Sequence, residues 1–260
     1  MKIYMNSKDI FSKNGYVFIN NFFSVDESKK IVGWADDLSK WEECAFKWMI
    51  YYEDSSNVKN KARVENFLEY HKDMNQFVRD KLTPTVNDIY NEDMVLFKEK
   101  INWKLANGKG FKAHQDQPAW TDFPPNKYVT VVLFANNSTV ENGCLEIAKT
   151  DRIDKIVSYN ESGSGEIDKT IEDSYEWNHI TATPRDILLF DSYVIHRSDD
   201  NKTNESRRHF YFTYNPKSDG DFYNEYLEKK RKEFPPEIER HENKTYNIMG
   251  NKYNLANPIN

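Results

Sequence analysis

The chain has 260 residues and a formal charge of −6 with Lys, Arg, Asp and Glu interspersed, so no basic stripe stands out to neutralise phosphates and a nucleic-acid partner is excluded. Aromatic residues make up 15% while Gly and Pro number nine each, which excludes a disordered chain and allows one large core, a size at which β-rich folds commonly stay undivided. Cys44 and Cys144 are too few for a disulfide framework and MKIYMNSKDIFSKNGYV holds no apolar leader, so a cytoplasmic protein without a membrane span is expected.

In chain order, Asn14-Gly15 supplies a turn before a short strand over Tyr16–Ile19. Ser24 and Glu27 stand at capping-box spacing, and Ile31, Trp34, Ala35 and Leu38 then fall on one face, which predicts a helix. Trp41, Phe46, Trp48, Tyr51 and Tyr52 are read as core aromatics rather than a base-stacking platform, since no basic patch surrounds them. Asp54–Lys61 reads as a polar loop ahead of Arg63. Met74, Phe77 and Val78 predict a helix over Asp73–Leu82, and Thr83-Pro84 starts another running to Tyr90.

From Phe97 the period becomes two: Phe97, Ile101, Trp103 and Leu105 alternate with Lys98, Lys100, Asn102 and Lys104. The polar face of this strand is either wet or lines the mouth of a barrel. Next comes FKAHQDQPAW, in which His114 and Asp116 are two residues apart; in an extended segment both project to one side. Tyr128–Ala135 is a continuous apolar run, as for a strand covered on both faces, and Asn142-Gly143 turns into a strand over Leu145–Ala148. Residues 150–180, centred on Ser162-Gly163-Ser164-Gly165, lack periodicity and are either a lid or disordered. Ile187–Phe190 leads to His196, and Arg208–Tyr214 closes the sheet, with His209 a packed or edge residue. Asp221–Phe234 reads as a helix whose run EKKRK, Glu228–Lys232, is a solvated face, and Tyr246–Asn260 is irregular. These elements predict a single domain, mainly β with flanking helices: a helical layer over about 1–92, an antiparallel β-sandwich or jelly-roll core over about 93–216 and an extension from 217 to 260.

His114, Asp116 and, 80 residues after the aspartate, His196 are the ligand types of the facial triad that holds non-haem Fe(II) with three positions open. An HxD pair alone is weak. A zinc hydrolase would need a general base and no HExxH is present, and no GxSxG supports a serine nucleophile. Arg207, 11 residues beyond His196, is able to fork onto a carboxylate. HQD, then NGCLEIAKT (Asn142–Thr150), then His196, Ser198, Asn201 and Arg207 together resemble the phytanoyl-CoA dioxygenase family of Fe(II)/2-oxoglutarate oxygenases over roughly residues 10 to 216.

That resemblance implies a double-stranded β-helix, with iron on His114, Asp116 and His196 and 2-oxoglutarate on Arg207 with Ser198, and O2 as the second co-substrate. ARVENF, Ala62–Phe67, is similar to a family stretch whose basic residue, here Arg63, reaches the co-substrate pocket; the position matching Lys100 also lies there, and Val132 is a further candidate. Two departures bear on loop shape: AKTDR stands where the family has PGSH, and Arg185-Asp186 where it has Gly-Asp.

The cationic strand face suits a small anionic metabolite better than a phytanoyl-like chain, because buried cations are costly unless an anion meets them. The expected substrate is a carboxylate or phosphonate, such as an amino-acid derivative or an aminoethylphosphonate-like compound, bound by Lys100, Asn102, Lys104 and Trp120. An acyl-CoA or lipid-like substrate, and a non-catalytic sensor of iron and 2-oxoglutarate, are the alternatives. No obligate protein partner is implied.

Overall fold

A computed structural model describes residues 2–55, 58–158, 165–247 and 253. The strands are β1 (Tyr16–Ile19), β2 (Met49–Ser55), β3 (Val58–Glu65), β4 (Met94–Lys104), β5 (Phe111–His114), β6 (Val129–Phe134), β7 (Leu145–Ala148), β8 (Trp177–Ile180), β9 (Ile187–Asp191), β10 (His196–Ser198) and β11 (Arg207–Pro216). The helices are α1 (Lys2–Asn14), α2 (Val25–Lys40), α3 (Lys72–Phe77), α4 (Thr83–Tyr90), α5 (Lys169–Glu172) and α6 (Tyr223–Glu233).

All pairings are antiparallel, and they make one sheet in the order β1-β9-β6-β11-β4-β3-β2 and a smaller one in the order β5-β10-β7-β8. This is the double-stranded β-helix with flanking helices. Alternation along β11 divides its labour: Phe210 and Phe212 face the helical layer, where Ile31, Ala35 and Leu38 of α2 meet them, while Tyr211 joins Val132, Leu145, Ile147, Leu188 and Phe190 between the sheets. Burying each such phenylalanine stabilises the fold by roughly 1.5–3 kcal/mol. Val132 is part of this apolar packing and lines neither cavity of the site described below.

The predicted capping box is formed: Glu27 N donates to Ser24 Oγ at 3.2 Å and Ser24 N to Glu27 Oε2 at 2.8 Å. Elsewhere the structure adds to the expectations or corrects them. Lys2–Asn14 is helical although the sequence carries no cap signal there; Phe11 anchors it against Tyr90, with ring centroids 6.0 Å apart. Within the expected loop Asp54–Lys61, Asp54 and Ser55 end β2 and pair with Lys59 and Val58 of β3, and Lys61 donates to the carbonyls of Leu38, Ser39 and Trp41. Between α3 and α4 the helix does not stop but widens to a π-helical turn at Val78–Leu82. The proline that follows, Pro84, has no N–H and clashes with a regular preceding turn, which the wider turn relieves.

On β4 the register skips Phe97, because Thr213 pairs with Lys98 and Tyr214 with Leu96. Phe97 therefore leaves the Ile101 face and packs with Trp120, Phe123, Tyr128 and Tyr226. The segment 150–180 holds α5 and β8 in its described part, whereas Ser162, Gly163 and Ser164 lie outside the described residues. It is tied to the metal segment: Gln115 Nε2 donates to the carbonyls of Lys155 and Tyr193, and Val157 N donates to Gln115 Oε1. Of the two departing loops, Arg152 pairs with Asp191 at 2.9 Å, and Asp186 accepts from the amides of Asn21 and Thr183.

Candidate active site

His114 ends β5 and His196 begins β10, and the two residues are direct partners across the strand pair, with ring centroids 4.2 Å apart. Asp116 arrives differently from the sequence expectation. The strand stops at His114, and Asp116 has helical backbone (φ −77°, ψ −31°) at the start of a 3-10 turn over Gln117–Trp120. That turn, not a pleat, carries its carboxylate back to 3.8 Å from His114 Nε2. One ligand atom from each of His114, Asp116 and His196 lies within 4.8 Å of the others.

The tautomers follow from the partners. His114 Nδ1 is 2.6 Å from Lys112 O and His196 Nδ1 is 3.0 Å from Val194 O. A carbonyl only accepts, so both Nδ1 atoms carry the proton and both Nε2 lone pairs are left for a metal. Burial and the neighbouring His196 push His114 down to about 3, which keeps it in the ligating, neutral form. Burial raises the Asp116 carboxyl, but His196, His114, Lys100 and Lys98 outweigh it and hold the group below its ordinary value, in the anionic form. Two imidazoles and one carboxylate on one face fit Fe(II).

Opposite the metal face, β4 and β11 form a ladder of inward pairs: Lys98 with Thr213, Lys100 with Tyr211, Asn102 with His209 and Lys104 with Arg207. The polar face of β4 thus lines the interior rather than solvent; Lys98, Asn102 and Lys104 are all buried. Two cavities meet at His114 and Asp116 and share Lys98, Lys100 and Phe111. One adds Asn102, His196, Ser198, Tyr211 and Thr213. The other adds Arg63, Trp120, Tyr226, Lys230 and Tyr253.

Arg207 lies past the first cavity, fully buried, with Nη1 donating to Gly143 O and Nε without any partner. Among the described residues no carboxylate pairs with it. An orphaned, buried guanidinium edge fits the distal carboxylate of a keto acid whose other end reaches the metal. Its neighbour Arg208 points the other way, to Asp36 at the surface.

The substrate-side candidates separate. Trp120 lines the second cavity, but the ammonium over its ring is that of Lys98, 4.7 Å from the centroid; Lys100 lies over Tyr211 at 5.2 Å. Asn102 belongs to the first cavity and accepts from Arg63 Nε at 3.1 Å. Lys104 lines neither: six residues of strand put it about 20 Å from Lys98, and its ammonium donates to Gly143 O and Ser198 Oγ. Arg63, expected on the co-substrate side, lines the second cavity and is 3.5 Å from Glu65.

Sequence reading missed the contribution of α6. The run Glu228–Lys232 is not a solvated face throughout: Lys230 is 1% exposed and lies 2.5 Å from Glu65. Tyr226 and Lys230, four residues apart, share the inward side of this helix, and that i, i+4 spacing was the available signal.

Gly143 makes the turn beside Arg207. Its φ is +69°, and a Cβ there would stand 2.2 Å from Asp199 O and 2.7 Å from Lys104 Nζ. Gly143→Ala is expected to lower stability by about 1–3 kcal/mol, read as a lower urea midpoint at unchanged slope. An unchanged midpoint would show that the turn yields without strain.

Fold and ligands together define an oxygenase of the non-haem iron class, and the enzyme is a dioxygenase. The phytanoyl-CoA dioxygenase (PhyH) family model matches residues 11–209, and the chain belongs to that family. It is 38% identical over 249 residues to a 2-aminoethylphosphonate dioxygenase from the uncultured bacterium HF130_AEPn_1, covering 95% of this chain and 94% of the relative. It is 32% identical over 227 residues to a methylphosphonate hydroxylase of Gimesia maris, covering 87% and 86%. Among solved structures, EctD from S. alaskensis with 2-oxoglutarate and 5-hydroxyectoine superposes with a TM-score of 0.68 at 17% identity, over 82% of this chain and 76% of the other. Lys230 and Tyr253 lie beyond the residues that the family model matches.

Proposed function

We propose that this enzyme uses Fe(II), 2-oxoglutarate and O2 to hydroxylate a C–H bond of a small phosphonate, releasing succinate and CO2. The observation that carries the substrate class is the second cavity. Arg63, Lys98, Lys100 and Lys230 all line it together with the metal ligand Asp116, and Glu65 behind them pairs with Arg63 and Lys230. Burial, then Arg63 and Lys98, push the Lys100 ammonium well below its ordinary value, a surplus of cations that a dianionic head relieves. The two relatives named for phosphonates support the same reading.

In this mechanism His114, Asp116 and His196 hold the iron, and the carbonyls of Lys112 and Val194 fix the two rings. Arg207 and Ser198 take the distal carboxylate of 2-oxoglutarate. Bound iron with its two co-substrates supplies the oxidising power. Lys98 and Lys100 grip the phosphonate and aim the adjacent carbon at the metal face, while Trp120, Tyr226 and Phe111 exclude water. The chain acts as one catalytic domain in which α6 walls the substrate cavity. No described helix is long and apolar enough to cross a membrane, and we place the enzyme in the cytoplasm, where the unpaired Cys44 and Cys144 stay reduced.

Lys98→Met and Lys100→Met should each weaken phosphonate binding to the anaerobic Fe(II) and 2-oxoglutarate complex by about tenfold or more, as for loss of a charged hydrogen bond. The visible charge-transfer band reports that binding, and mass spectrometry should find a product 16 Da heavier. Turnover of acyl-CoA thioesters but not of small phosphonates would sink the assignment.

A further inference from the structure

Lys104 is left over by both halves of the site. It is 3% exposed, three rungs of the ladder from the substrate-side Lys98, and directly paired across the sheet with Arg207. Among the described residues no carboxylate forms an ion pair with either cation; Asp199 meets Lys104 through its backbone carbonyl, and Asp200 is engaged by Gly110 N and Lys109. His209, on the next rung, is fully buried with Nε2 unpartnered and adds no negative charge. Two cationic groups side by side in a buried interior, with no described carboxylate ion-paired to either, favour the arrival of an anion.

The hydrogen bonds of Lys104 say what it does for that anion. Its Nζ donates to Gly143 O at 3.0 Å, to Ser198 Oγ at 2.8 Å and to Asp199 O, so a charged ammonium spends all three protons on the protein. Ser198 Oγ then accepts from Lys104 and, at 3.4 Å, from Phe111 N. With both lone pairs taken, the hydroxyl can only donate outward. Gly143 O ties the two cations together, because it accepts from Lys104 and from Arg207 alike.

We propose that Lys104 is a positioning residue for the co-substrate: it turns Ser198 into an obligate donor and adds a second positive charge beside Arg207, so that the seat selects keto acids carrying a distal carboxylate. This rests on Arg207 and Ser198 being where that carboxylate binds. Burial, then Arg207, push the Lys104 ammonium down to about 6, and a carboxylate beside it favours its charged form. Lys104 thus works through Ser198 and through charge, without touching the metal or the substrate cavity.

The test compares two ligands, 2-oxoglutarate and 2-oxobutyrate, which share the keto acid end but differ in the distal carboxylate. Anaerobic titration calorimetry of the Mn(II)-loaded enzyme gives both dissociation constants for the wild type, Lys104→Met and Lys104→Gln. The glutamine variant keeps donors for Gly143 O and Asp199 O should methionine prevent folding. In both variants 2-oxoglutarate should bind about 10- to 100-fold more weakly, the scale of a lost charge-assisted contact, while 2-oxobutyrate binds as before. Equal weakening of both ligands would make Lys104 a merely structural residue, and no change in either would remove it from the seat. A wild type that binds the two ligands equally would instead overturn the placement of the carboxylate on Arg207 and Ser198.

Discussion

Asp116→Ala is expected to abolish succinate formation and to weaken Fe(II) binding by more than about a hundredfold, beyond the 10- to 100-fold that loss of an outer partner of a metal ligand costs. Asp116 is the sole anionic member of the metal face, and His114 and His196 alone offer two neutral imidazoles. The loss should not follow from unfolding, because Asp116 caps only a short 3-10 turn and makes no side-chain hydrogen bond there. Iron binding by calorimetry and succinate by chromatography check the two parts separately. Iron-dependent turnover at the wild-type rate would show that the three residues come together for another reason.

Arg207→Lys should raise the concentration of 2-oxoglutarate needed for half-maximal turnover about 10- to 100-fold, with a smaller effect on the rate at saturation. The guanidinium offers Nη1 to Gly143 O and keeps Nε for the ligand, a two-point arrangement that an ammonium cannot copy. Arg208→Lys is the control: adjacent residues on β11 face opposite ways, and this side chain reaches Asp36 instead. Sensitivity at Arg208 with indifference at Arg207 would mean that the strand is placed one residue out of register.

Local pattern and long-range packing contributed different parts of this enzyme. Period-two alternation on β4 was legible because successive side chains of a strand face opposite ways, and it marked Lys98, Lys100, Asn102 and Lys104 as one face. The capping box at Ser24 and Glu27 was legible for the same local reason. His114, Asp116, His196 and Arg207 could be singled out as a set by order and spacing, the ligand types chemistry demands. That the polar face of β4 points inward, and not to solvent, depended on the smaller sheet closing over it. The roles along that face were likewise tertiary: about 20 Å of strand separates Lys98, over Trp120, from Lys104, beside Arg207, although in sequence they look equivalent. Nor could periodicity show that Asp116 reaches the metal from a 3-10 turn, or that Lys230 leaves a charged run to meet Glu65 165 residues away. Hydrophobic pattern constrains which face of an element is buried; which partner a buried charge meets is decided by contacts between distant segments, and those exist only once the chain has folded.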